Sequence, residues 1–151
     1  MKPVRILLLL VATLLAGAGC PTEPVEVDEL VAARRRWTAE GPRAYAFDYA
    51  RNCFCLAETT RPVTIHVRAG VVEAVFDRLT GQRVTIDPRF PPWPTIPQLF
   101  DEVARAAREA DDFRVAYDAR LGFPVDFFAD WIERAADDES GFTAANVRPL
   151  P

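Results

Sequence analysis

A chain of 151 residues, half of them apolar and 26% charged, is one domain of ordinary size with enough apolar surface to bury a core. Its formal net charge is −4, and its arginines are scattered except for Arg34-Arg35-Arg36, which excludes the clustered basic surface that nucleic-acid phosphates demand. No internal repeat or low-complexity tract divides it.

The first twenty residues stand apart from that domain. Lys2 and Arg5 form a basic start, Ile6 to Leu15 an apolar run, and Ala16-Gly17-Ala18-Gly19 a stretch of small residues before Cys20, the layout of an export signal. Ile6 to Gly19 is shorter than the about 20 helical residues needed to cross a bilayer, which argues against a permanent membrane helix. Small residues leading to a cysteine resemble the lipobox of bacterial lipoproteins, in which the cysteine is lipidated and becomes the new N-terminus. Gly17 stands where that motif usually has leucine, and plain secretion with cleavage nearby is the alternative. The resemblance implies residues 1–19 as signal peptide, 20–26 as lipidated Cys20 with a short Pro- and Glu-rich tether, and 27–151 as a single domain. Neither Pro21 nor Thr22 is the aspartate that retains a lipoprotein at the inner membrane, so the implied address is the outer membrane, facing the periplasm. Without Lys2 and Arg5 the chain keeps sixteen basic against twenty-two acidic side chains, near −6.

Val27, Leu30, Val31, Ala33 and Trp37 recur at near-helical spacing, Asp28 and Glu29 fall in the first turn, and Gly41-Pro42 is a stop, which predicts a helix over 27–40 with Trp37 as core. Arg34 to Arg36 would be its solvated face. Tyr45, Phe47 and Tyr49 alternate with Ala46, Asp48 and Ala50, a strand whose aromatic side packs under that helix. The alternation carries Arg51 inward with Cys53 and Cys55, so a bulge or strand end is expected near Arg51-Asn52.

Val63, Ile65 and Val67 predict a strand with Thr64, His66 and Arg68 outward. Ala69-Gly70 turns it into a partner through Val72, Ala74 and Phe76, and Thr80-Gly81-Gln82 leads to a shorter strand at Val84 and Ile86. Five prolines between Asp87 and Pro97 make that stretch a crossing loop, with Phe90 and Trp93 clamping it to the body, ligand binding by these aromatics being the alternative. Thr95 with Gln98 is a capping box for a second helix whose apolar stripe runs Ile96, Leu99, Phe100, Val103, Ala106, Ala107 and Ala110.

Phe113, Val115 and Tyr117 alternate with Arg114, Ala116 and Asp118. Leu121-Gly122-Phe123-Pro124 reverses the chain into Val125, Phe127, Ala129 and Trp131. Ile132 to Ala136 continues that strand or makes a helical turn, Asp137-Asp138-Glu139-Ser140-Gly141 turns again, and Phe142 to Val147 adds a third strand. The expected fold is α+β, an antiparallel sheet of about six strands with two helices packed on one face.

Cys53-Phe54-Cys55 is the most pointed chemical feature. Residues two apart in a flat strand lie about 6.6 Å apart at Cα, close to the upper limit of about 6.8 Å for a disulfide, so a bridge there requires a turn or carries strain. A structural clip closing so small a loop contributes about 1.6 kcal/mol by loop entropy. The other reading is a redox couple, and titration against glutathione separates them, a potential far below about −300 mV marking a structural bond. Cys53, Cys55 and the single His66 fall one ligand short of a structural zinc site. Asp137-Asp138-Glu139 lacks the alternating register of a calcium loop and reads as a solvated acidic turn. Asp118, Asp126 and Asp130 have no accompanying Ser, His or Cys that would make them an acid–base set, so no catalytic residue, cofactor or metal is assigned.

Trp37 with Tyr45-Ala46-Phe47, Cys53-Phe54-Cys55, Val67 to Val72, the helix from Ile96 to Ala107, Val115 to Asp118 with Gly122-Phe123-Pro124, and Ala136 to Glu139 together resemble the bacterial domain of unknown function numbered 6174. The residues that carry this likeness include Trp37, Tyr117, Asp118, Gly122, Pro124, Asp137, Asp138 and Glu139. Phe123 stands where that family often has tyrosine. The resemblance implies exported proteins and lipoproteins, with no activity and no catalytic residue attached. The expectation is a non-enzymatic envelope lipoprotein held to the membrane through Cys20 that meets an envelope protein. A thiol–disulfide protein using Cys53 and Cys55 is the alternative.

Overall fold

The computed structural model describes residues 25–90 and 92–151. The expected signal segment, Cys20 and most of the tether therefore lie outside the described residues. Helix α1 (Val25–Glu40) leads into β1 (Tyr45–Cys53), a short α2 (Ala57–Thr60), β2 (Val63–Arg68) and β3 (Val71–Asp77). Then follow α3 (Ile96–Glu109), β4 (Asp112–Tyr117), β5 (Pro124–Asp130) and β6 (Ser140–Pro149). The strands form one antiparallel sheet in the order β3-β2-β1-β6-β5-β4, so the fold is α+β as expected. Among the described residues no helix is long and apolar enough to cross a membrane.

Period-two alternation in the strands separates the two faces of the sheet. Tyr45, Phe47, Tyr49, Val63, Ile65 and Val67 are buried with Leu30, Ala33 and Trp37 of α1 and with Ile96, Leu99, Phe100, Val103 and Ala106 of α3. Trp37 meets Tyr45 edge-on at 5.2 Å and Phe123 at 6.1 Å, so the first helix ends over the start of the strand that follows it. The helix stops where Gly41 N–H returns to the Trp37 carbonyl at 2.8 Å. Helix α3 begins with the expected capping box, the Thr95 N–H donating to Gln98 Oε1 at 2.8 Å. Its Ile96 N–H donates to the Tyr45 hydroxyl at 3.1 Å, which ties the helix start to β1. Arg34 pairs with Asp101 between the two long helices and lies over the Phe100 ring.

Three details differ from the sequence expectation. Strand β1 does not break at Arg51-Asn52; it pairs with β6 through Arg51↔Phe142, Asn52↔Gly141 and Cys53↔Ser140. Arg51 is accommodated because it stands at the end of the inner face, where its half-buried stem reaches out to solvent. The irregularity in this pair lies between Ala46 and Asp48 instead, where β6 carries an extra residue. The strand expected at Val84 and Ile86 is a single bridge, Phe76↔Arg83, with Val84 N–H on the Val75 carbonyl at 2.8 Å. Beyond it the chain leaves for the proline-rich loop, and prolines cannot supply the donors a ladder needs.

The last difference is an addition, a short helix over residues 57–60. Of the two readings of Ile132 to Ala136, continued strand or helical turn, the stretch takes a turn, closed by Ala135 N–H on the Ile132 carbonyl at 2.7 Å. The last strand, β6, occupies a central position between β1 and β5.

Candidate functional site

Both long helices cover the inner face of the sheet. On the other side, alternation sets out Asp48 of β1, Thr64 and His66 of β2, Phe76 of β3, and Asn146 and Arg148 of β6, with Arg78 just past β3. Asp48 is the hub. Its Oδ1 accepts from the Thr64 hydroxyl at 2.7 Å and its Oδ2 from the Asn146 amide at 2.9 Å. Arg78 Nε lies 3.4 Å from Oδ2 and Arg148 Nη1 3.9 Å from Oδ1. With its neighbours laid over it, Asp48 is only 9% exposed although no helix among the described residues covers this side.

Local backbone chemistry explains how Asn146 reaches it. Asn146 is the extra residue of β6 opposite Phe47 and has φ 55°, a left-handed conformation that asparagine tolerates better than most residues. The bulge turns its amide toward the carboxylate, and its own carbonyl accepts from Arg148 Nη1 at 3.1 Å. Beside this group the His66 and Phe76 rings lie 4.8 Å apart and help to line a shallow hollow of about 530 Å³. Burial first, then the Arg148 charge, holds His66 below the ordinary imidazole range, so it is neutral at pH 7.

Burial alone would push the Asp48 carboxyl up, but the Asn146 and Thr64 hydrogen bonds and the Arg78 and Arg148 charges together outweigh it and hold the group below the usual aspartate value. The contribution of a depressed carboxyl is fully present above the unfolded value of about 3.9 and is lost as pH falls through the lower folded value. Asp48→Asn should therefore melt below the native protein at pH 7, with the gap closing as pH falls below about 4. Thermal melts followed by circular dichroism across pH 3–7 check this, and a gap that does not change with pH would count against it.

Cys53 and Cys55 are joined in a disulfide with Cα atoms 5.2 Å apart. The chain does not stay flat there. β1 ends at Cys53, and Cys55 N–H donates to the Cys53 carbonyl at 2.9 Å, the turn that such a pair requires. The bridge presents Phe54 (84% exposed) and Leu56 (62% exposed) at the tip of the strand. His66 is on the outward face of β2, paired with Ala46 and Ala74 near the middle of the sheet rather than at its disulfide end.

Asp118, Gly122 and Pro124 build the β4–β5 turn. The Asp118 carboxylate accepts from the N–H groups of Arg120 and Leu121 at 3.0 and 2.6 Å, and its N–H donates to the Phe123 carbonyl at 2.8 Å. Tyr117 stacks with Phe100 at 6.3 Å, its hydroxyl is buried without a hydrogen-bond partner among the described residues, and burial pushes its pKa up. Asp137, Asp138 and Glu139 form the turn before β6 at the opposite end of the sheet, with Asp137 at φ 66°. The recurrent motif residues thus serve two turns and the core, and they do not meet in one place. Among the described residues no group of three or more His, Cys, Asp or Glu is placed to hold a metal ion.

The hub itself escapes sequence reasoning. Asp48, Thr64, Arg78, Asn146 and Arg148 come from four separate stretches, and the one legible sign is a carboxylate on the outward side of an otherwise aromatic and alanine strand.

The family model described as "Family of unknown function (DUF6174)" matches residues 29–149. No curated protein and no solved structure matches the chain.

Proposed function

The chain belongs to the DUF6174 family of unknown function, and we propose that it is an exported lipoprotein, anchored through Cys20, whose domain is a non-catalytic binding module. It offers the uncovered face of its sheet, centred on Asp48, to a protein partner in the cell envelope. One observation carries this reading: α1 and α3 share one side of the sheet, while the other side bears a polar group organised across β1, β2 and β6. An antiparallel sheet needs only one buried face, so the second is available for recognition. A non-glycine residue held at φ 55° inside a strand costs on the order of 1–3 kcal/mol, which selection tolerates where the side chain is needed in that place. The sequence before residue 25 supports the anchor by its basic, apolar and small-residue order ending at Cys20.

Two measurements test the two halves of the reading. Metabolic labelling with a fatty acid should mark the native protein and not Cys20→Ala, and an unlabelled, fully soluble mature protein would remove the anchor. A photo-crosslinking amino acid at the exposed Thr143 on the free face should yield a discrete adduct in cells, while the same group at Arg35 on α1 should not. Adducts from both positions alike, or from neither, would dispose of a face-specific partner.

A further inference from the structure

A second concavity, of about 490 Å³, lies where β1 runs out, walled by α2, the end of β3, residues 82–87, Phe90 and Trp93. Its lining shares only Asp77 with the hollow on the free face. This is the size of a small-molecule site, and its make-up has the mixture such sites use, apolar walls with a few converging polar groups. Trp93, Phe90 and Val84 give it apolar surface, and Trp93 is held edge-on to Tyr49 at 6.3 Å with 86° between the rings. The wall formed by α2 follows two residues after the Cys53–Cys55 bridge.

Charge then narrows the class of ligand. Arg51, Arg61 and Arg83 line the cleft with Glu58, Asp77 and Asp87. Two of the three carboxylates are already engaged. Asp77 accepts from the Leu79 and Thr80 N–H groups at 2.9 Å each, and Asp87 is held in a fork by Arg89 at 2.7 and 3.1 Å. The guanidinium groups are less well served. Arg61 Nε is buried without a hydrogen-bond partner among the described residues, its nearest carboxylate being Asp77 at 3.8 Å from Nη1. Arg83 has the Glu73 carbonyl at 3.1 Å, and Arg51 reaches the Tyr49 hydroxyl at 3.4 Å with the Glu102 carboxylate nearby. Arg61 and Arg83 thus keep exposed guanidinium surface at the cleft, and an oxyanion is the group that complements it.

We propose that this cleft binds a small organic anion, with its carboxylate held by Arg61 and Arg83 and its flat apolar body laid against Trp93 and Phe90. The test is a titration of the full mature protein with 1-naphthoate, read by quenching of tryptophan fluorescence. Saturable one-to-one quenching is expected, and Trp93→Phe should abolish it. The neutral isostere 1-naphthamide should bind about tenfold more weakly, the loss expected for a charge-assisted hydrogen-bond pair. Arg83→Gln, at an exposed position, should weaken naphthoate by about the same factor, and Arg61→Gln likewise. Arg148→Gln on the free face should leave naphthoate affinity unaltered, which separates this site from the partner surface proposed above. Naphthamide binding as tightly as naphthoate, an unaffected Arg83→Gln, quenching that survives Trp93→Phe, or no saturation would each overturn the proposal.

Discussion

Replacing Phe47 with alanine should lower stability by about 4 kcal/mol, near the top of the range for a point change in a domain of this size. Phe47 is fully buried near the start of β1, the strand flanked by β2 and β6, and its ring lies between Tyr45 at 5.9 Å and Tyr49 at 6.4 Å. Truncation removes the apolar surface and leaves a void that a paired, central strand cannot collapse to fill. The same position faces the β6 bulge, so loosening Phe47 also loosens Asn146 above Asp48. Thermal unfolding should drop by about 15 °C, using the ordinary unfolding entropy per residue. Phe47→Leu retains most of the volume and should cost about 1.5 kcal/mol or less. Equal melting temperatures for the alanine and leucine variants would contradict the packing account.

The second large effect belongs to Gly122→Ala, with an expected loss of about 3 kcal/mol and a fall in melting temperature of about 10 °C. Two independent costs add here. Gly122 has φ +81°, where an L side chain is strained by about 1–2 kcal/mol. A Cβ built on it would also collide with the Ala33 carbonyl and press on the Arg36 side chain of α1. That carbonyl belongs to the helix backbone, so relief requires the helix to move away from the β4–β5 turn. Gly70 is the control. It has φ +78° in the β2–β3 turn but open space around it, so Gly70→Ala carries the conformational cost alone and should lose about 1–2 kcal/mol. If the two substitutions cost the same, the close approach of α1 to the turn contributes nothing.

This packing of helix against turn shows why single motifs were legible and their meeting places were not. The reversal at Leu121 to Pro124 can be read from glycine and proline chemistry, because a turn is decided by the φ values its own residues can adopt. The capping box at Thr95 and Gln98, the stripe from Ile96 to Ala106, and the alternations at 45–49 and 63–67 are likewise decided within a few residues. Where the expectation failed, a distant neighbour had intervened. The sequence predicts a bulge or strand end near Arg51-Asn52, and pairing of Arg51 with Phe142, ninety-one residues further on, keeps the strand regular there. Val84 and Ile86 have the pattern of a strand, yet only Arg83 bridges to β3 before the prolines draw the chain away.

The sequence by itself determined the helices at either end of the first sheet half, the strand faces, the hairpin turns, the α+β class and the pairing of Cys53 with Cys55 as one open possibility. Only the tertiary structure decided that β6 lies beside β1, that Asn146 and Thr64 close on Asp48 from either side, and that Arg61 stands in a cleft with its Nε unpaired among the described residues. The physical reason is that periodicity and turn chemistry are properties of near neighbours along the chain. The backbone ladder is the same for any pair of strands, so which strands adjoin, and in what register, is settled by side-chain packing between segments that the sequence sets far apart.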